Sequence, residues 1–134
     1  MNPVVHFEMP AKDTKRMSDF YAKVFGWELK SMPAEMGEYV LATTTETGEN
    51  GRPTTPGAIN GGFYKVGDDG ATPAPAVVIA VDDIKESMEK VKQAGGKVLG
   101  EVQDIPGVGL YVNVMDCEGN KVNLLQTNFK TDES

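Results

Sequence analysis

The sequence predicts an α+β fold built from two similar modules, each a strand, a helix and then several strands. Three observations predict it. Residues recur at an offset of 70, with Asp13 matched by Asp83, Gly26 by Gly96 and His6 by Ala76. Two stretches carry apolar residues at helical spacing, and the remaining apolar runs are short and alternate with polar residues. The 134 residues suit one domain, 1–127, with module one at about 3–66, module two at about 76–127, and a charged tail at 128–134.

The first strand is Val4 to Met9. Alternation puts Val5, Phe7 and Met9 beneath a helix and leaves His6 and Glu8 on the opposite face. The first helix follows, with Met17, Phe20, Tyr21, Val24 and Phe25 as its apolar stripe; these aromatics are expected in the core. Asp13 or Thr14 caps its free amides, and Gly26 ends it in the left-handed conformation. Three strands complete the module, at Trp27–Lys30, Tyr39–Thr44 and Ala58–Lys65, interrupted by a polar loop from Glu46 to Gly57.

Gly67 to Pro75 reads as the linker. Module two then opens with Ala76–Val81, in which Val77, Ile79 and Val81 face a helix and Ala76, Val78 and Ala80 do not. Its helix carries Ile84, Met88 and Val91, with Asp83 and Glu86 spaced as a capping box and Gly95-Gly96 as the stop. The strands Lys97–Val102, Leu110–Met115 and Lys121–Thr127 finish it. Helices thus cover one side of the sheet. The other side needs a partner, a cleft or a ligand.

Composition narrows the function. Lys+Arg 13 against Asp+Glu 20 gives a net charge of −7, which weighs against nucleic-acid partners that demand clustered cations. No apolar run suggests a membrane span, and the N-terminal residues have no signal-peptide pattern. Cys117 stands alone, so no intrachain disulfide forms, and the expected compartment is the cytoplasm. Its acidic neighbours Asp116 and Glu118 disfavour a thiolate. With one histidine, the chain cannot place two imidazoles on a metal. No Walker motif, G-x-S-x-G elbow or H-E-x-x-H helix occurs.

The pieces Phe20-Tyr21-x-x-Val24-Phe25-Gly26-Trp27, Val81-Asp82-Asp83-Ile84, Gly95-Gly96-Lys97-Val98 and Asp116-x-Glu118-Gly119-Asn120, in this order, resemble the vicinal oxygen chelate superfamily. That superfamily includes glyoxalase I, bleomycin-resistance proteins, methylmalonyl-CoA epimerase and extradiol dioxygenases. The resemblance covers residues 4–127 and implies a glyoxalase-like fold, in which paired βαβββ modules form a strongly curved mixed sheet, helices outside, around a cup. It also implies homodimers and, in the metal-dependent members, four ligand positions. On this chain those positions hold His6, Gly61 or Gly62, Ala76 and Asn123, where only His6 matches. A metal site needs at least three donors, so no cofactor is expected and a divalent metal is disfavoured. A metal on His6, Glu8 and a third carboxylate such as Glu28 or Glu38 has no spacing argument behind it.

The expected function is binding of a small molecule in the cup without the usual metal. His6 and Glu8 are the candidate catalytic pair, and the candidate ligand contacts are Tyr111, Asn113, Asn123 and Phe63, with packing the alternative for Phe63. Glu8 beside His6 is expected to raise the imidazole pKa. The alternative function is a lyase or isomerase of the glyoxalase or epimerase kind, shuttling a proton with His6 and Glu8. A dimerising interaction module with an occluded cup is the third reading, and an extradiol dioxygenase is disfavoured.

Overall fold

A computed structural model describes residues 1–33, 38–66 and 74–127. The chain resolves into two compact units, His6–Pro75 and Met1–Val5 with Ala76–Ser134. They correspond to the two modules, except that the first five residues go with module two, where the Ala80 amide donates to the Pro3 carbonyl at 2.9 Å.

Module one contains β1 (Val4–Ala11), α1 (Thr14–Phe25), β2 (Glu28–Ser31), β3 (Val40–Thr43) and β4 (Asn60–Lys65), with strand order β2-β3-β4-β1. Only β1 and β4 run parallel; the other neighbours are antiparallel. Asp13 caps α1 by accepting from the Arg16 amide, and Gly26 ends it at φ 75°. Under the helix, Val40, Ala42 and Phe63 form a buried cluster that Phe7, Met9, Met17, Tyr21, Trp27 and Leu29 join. The Trp27 ring stacks on Tyr21 at 4.7 Å, so it closes the edge of this core.

The helix departs from expectation. Phe20 and Phe25 are 53% and 60% exposed rather than buried, with Val24 beside them at 53%. Of the stripe, Met17 and Tyr21 are the residues that pack on the cluster. Phe20, Tyr21 and Phe25 instead pack on one another, with Tyr21 and Phe25 stacked at 5.8 Å.

Module two contains β5 (Ala76–Ala80), α2 (Ile84–Gln93), β6 (Lys97–Ile105), β7 (Gly109–Met115) and β8 (Lys121–Thr127), with strand order β5-β8-β7-β6. Its first strand again pairs in parallel and the others antiparallel. Asp83 accepts from the amides of Lys85 and Glu86, while the Glu86 carboxylate turns to Lys90 instead of closing the box. Val81, Ile84, Val112, Val114 and Leu124 form the core beneath α2. Val77, expected beneath the helix, is 39% exposed. β6 runs three residues beyond its expected end, because a register irregularity between Leu99 and Gln103, with Gly100 at φ 84°, lets pairing with β7 resume.

Candidate functional site

Strand alternation in β1 sends Phe7 and Met9 into the core and His6 and Glu8 to the helix-free face, as the sequence predicts, whereas Val5, also expected beneath the helix, is exposed. Parallel pairing sets His6 opposite Asn60 and Glu8 opposite Gly62. Asn60 accepts from the amides of Thr44 and Thr45 at 2.7 and 3.2 Å, which fixes the chain leaving β3.

Tyr39 completes the site. Val40 and Ala42 point into the core, so Tyr39 falls on the opposite face with His6 and Glu8. Its hydroxyl donates to Glu8 Oε2 at 3.1 Å and lies 3.4 Å from His6 Nε2. The ring can lie there because Gly62 has no side chain; a β-carbon at that position would overlap the phenol ring far inside van der Waals contact. Gly61 does the same on the core side, where its missing β-carbon leaves room for the Phe7 ring. The glycine pair therefore admits one aromatic ring to each face of β4.

Glu8 is buried, 8% exposed, with the Tyr39 hydroxyl as a donor to its carboxylate. Burial lowers the pKa of His6, and the charge of Glu8 only partly opposes it. Glu8 acts in the expected upward direction, but removal of the imidazolium from water outweighs the carboxylate attraction, so the net shift is downward. Burial raises the Tyr39 pKa, and the charge and hydrogen bond of Glu8 raise it further, so the phenol keeps its proton. The arrangement is an imidazole, a phenol and a carboxyl group linked in one chain of hydrogen bonds, with burial favouring the neutral imidazole and the protonated phenol.

In module two, Asn113 lies directly opposite Asn123 across β7 and β8, and Tyr111 lies opposite Leu125. Asn123 is 1% exposed, beside buried Val78 on β5. Asn113 Oδ1 is buried and accepts no hydrogen bond from the described residues. These three side chains share the face away from Val112, Val114 and Leu124, as alternation predicts. Phe63 sits elsewhere: its ring is fully buried in the cluster under α1, 5.4 Å from Tyr21, in the packing role.

The four positions at which the resemblance implies metal ligands do not fit such an ion. His6 Nε2 is turned to Tyr39, and the space over Gly62 is filled by the Tyr39 ring. Ala76 has only a methyl group, and Asn123 offers a neutral amide. Among the described residues no group of three or more His, Cys, Asp or Glu side chains could hold a metal. Glu38 pairs with Lys65 at 3.6 Å. Cys117 is exposed in the turn between β7 and β8, which Asp116 holds by accepting from the amides of Glu118 and Asn120.

Sequence reasoning missed Tyr39, yet a signal for it exists. The pairs Leu41–Gly62 and Asn113–Asn123 stand at matching places in the two modules. Two residues before Leu41 is Tyr39, and two before Asn113 is Tyr111. The tyrosine singled out in module two has its counterpart in module one.

A family model for the glyoxalase/bleomycin resistance protein/dioxygenase superfamily matches residues 4–124. Over 124 residues, or 90% of this chain, the sequence is 30% identical to a Mycobacterium tuberculosis protein that carries the name glyoxylase, of whose length the chain spans only 44%. It is 31% identical over 116 residues to a glyoxylase-like domain-containing protein of Didymella fabae, covering 84% of each. Solved structures with the same fold include the Mycobacterium tuberculosis methylmalonyl-CoA epimerase, at a TM-score of 0.66 and 13% identity over 94% of this chain and 88% of that one. A Streptomyces coelicolor methylmalonyl-CoA epimerase in complex with 2-nitronate-propionyl-CoA superposes at a TM-score of 0.68 and 15% identity, covering 100% of this chain and 99% of the other. No helix among the described residues is long and apolar enough to cross a membrane.

Proposed function

Because the chain belongs to the glyoxalase/bleomycin resistance protein/dioxygenase superfamily, we propose that it binds a small molecule on the helix-free face of module one, without a metal, through His6 and the groups linked to it. The observation that carries this reading is the hydrogen-bonded set His6, Tyr39 and Glu8 on a face that no helix of its own module covers. A half-buried imidazole held by a phenol and a carboxylate is a polar anchor of the kind that orients a ligand in a small-molecule site. In module two, the buried acceptor on Asn113 supports a ligand contact as well, since a buried oxygen without a donor costs about 1–3 kcal/mol. A homodimer is the assembly we propose, and light scattering after size-exclusion checks it.

The same hydrogen-bond chain favours a second reading, a lyase or isomerase in which His6 takes up a proton and Glu8 acts on it through Tyr39. A neutral imidazole with a lowered pKa is a competent base near neutral pH. One test separates these readings from a bare interaction module. Thermal denaturation is measured with a panel of hydroxy and carbonyl metabolites and with methylmalonyl-CoA, the ligand of one epimerase of this fold. A bound ligand at a hundredfold excess over its Kd stabilises by about 2.7 kcal/mol, and the shift should vanish in His6→Gln. Turnover of the stabilising compound selects the enzyme reading. A panel that never shifts the transition contradicts both and leaves the interaction module.

A further inference from the structure

We infer that Tyr39 is a positioning residue for His6: its hydroxyl accepts from Nε2 while donating to Glu8, which holds the imidazole in the Nε2–H tautomer and leaves the Nδ1 lone pair as the atom offered to a ligand. The tautomer stands on geometry alone, and only its use by a ligand rests on the function proposed above.

The direction follows from counting protons. A phenol has one proton to give, and a carboxylate can only accept. The Tyr39–Glu8 contact is the shorter, 3.1 Å against 3.4 Å, and a bond to a charged acceptor is the stronger of the two. With its proton committed to Glu8, the Tyr39 oxygen has only lone pairs to turn toward His6. Nε2 must then carry the hydrogen, and a neutral imidazole with Nε2–H has Nδ1 as its acceptor. The reverse polarity would strip a donor from a carboxylate that is 8% exposed, which is unfavourable. Nδ1 takes no hydrogen bond from the described residues. Its complement is a ligand bearing an O–H, an N–H or an acidic proton.

Gly62 is what makes the device work. Its φ is not positive, so alanine fits the backbone there, but its β-carbon would collide with the ring and push the hydroxyl away. Gly62→Ala and Tyr39→Phe therefore reach the same result by different routes, one by displacing the phenol and the other by removing its oxygen while keeping the ring.

Nitrogen-15 NMR of the single histidine, recorded above the ordinary histidine range, reads the tautomer directly. The expected wild-type spectrum has a pyrrole-like Nε2 and a pyridine-like Nδ1. In Tyr39→Phe and in Gly62→Ala the two signals should move toward each other as the tautomers mix. A protonated Nδ1 in the wild type overturns the inference, and so does an unchanged pattern in either folded variant. Should one variant fail to fold, the other decides. A protein that binds a panel compound yet has mixed tautomers would overturn the positioning role alone; a fixed tautomer with no binding compound would overturn the proposed function alone.

Discussion

The two modules share one plan and spend it differently. At the offset of 70, His6 is matched by Ala76 and Glu8 by Val78, so the polar pair on the first strand of module one becomes two small apolar residues in module two. The position opposite Glu8 is Gly62, and the position opposite Val78 is Asn123. Module one left out a side chain on β4 and laid an aromatic ring in the space. Module two kept a side chain there and buried an amide. The helices differ in the same way: α1 has no fully buried residue, while Ile84 of α2 is completely enclosed.

Core substitutions give the largest expected effects. Phe63→Ala should destabilise by about 3–5 kcal/mol and Ile84→Ala by about 2–5 kcal/mol, since both side chains are fully buried. Phe25→Ala, at an exposed position of α1, should cost well under either. Denaturant titration of the three variants checks the order. A loss in Phe25→Ala as large as that in Phe63→Ala would mean that the α1 face is covered in solution.

Much of this was legible in the sequence. The repeat, both helices with their caps and the order of the strands follow from periodicity and from Asp13, Asp83 and Gly26, because these depend on local chemistry. The face assignments of His6, Glu8, Tyr111, Asn113 and Asn123 follow from alternation alone. Tyr39 was not legible as a site residue, because its link to Glu8 spans 31 residues and depends on a glycine in a third strand. The net direction of the His6 pKa shift was not legible for a related reason: a neighbouring charge is visible in a sequence, but burial is a property of the packed chain.

The next effect is a pH dependence confined to module one. Burial holds the folded His6 pKa below 6.5, so in that window the unfolded chain binds a proton that the folded chain refuses. Stability therefore rises with pH up to 6.5, and is lost as pH falls from there through the folded pKa. His6→Gln should abolish this contribution to the slope, and Tyr111→Phe in module two should leave it intact. Unfolding free energies measured at several pH values compare the slopes; equal slopes in wild type and His6→Gln would refute the assignment.

The smallest effects concern the caps. Asp83 accepts from two amides and Asp13 from one, so Asp83→Ala should cost more than Asp13→Ala, with each near about 1 kcal/mol. Thermal unfolding of the two variants resolves the order, and a reversed order would mean that the α1 terminus carries more of the fold than its hydrogen bonds indicate.

The most direct test of the central claim, that module one works through hydrogen bonds and not through a metal, is elemental analysis of protein purified without chelator or affinity-tag metal. Less than about a tenth of an equivalent of any divalent transition metal is expected. A stoichiometric, tightly held ion that disappears in His6→Ala would contradict it.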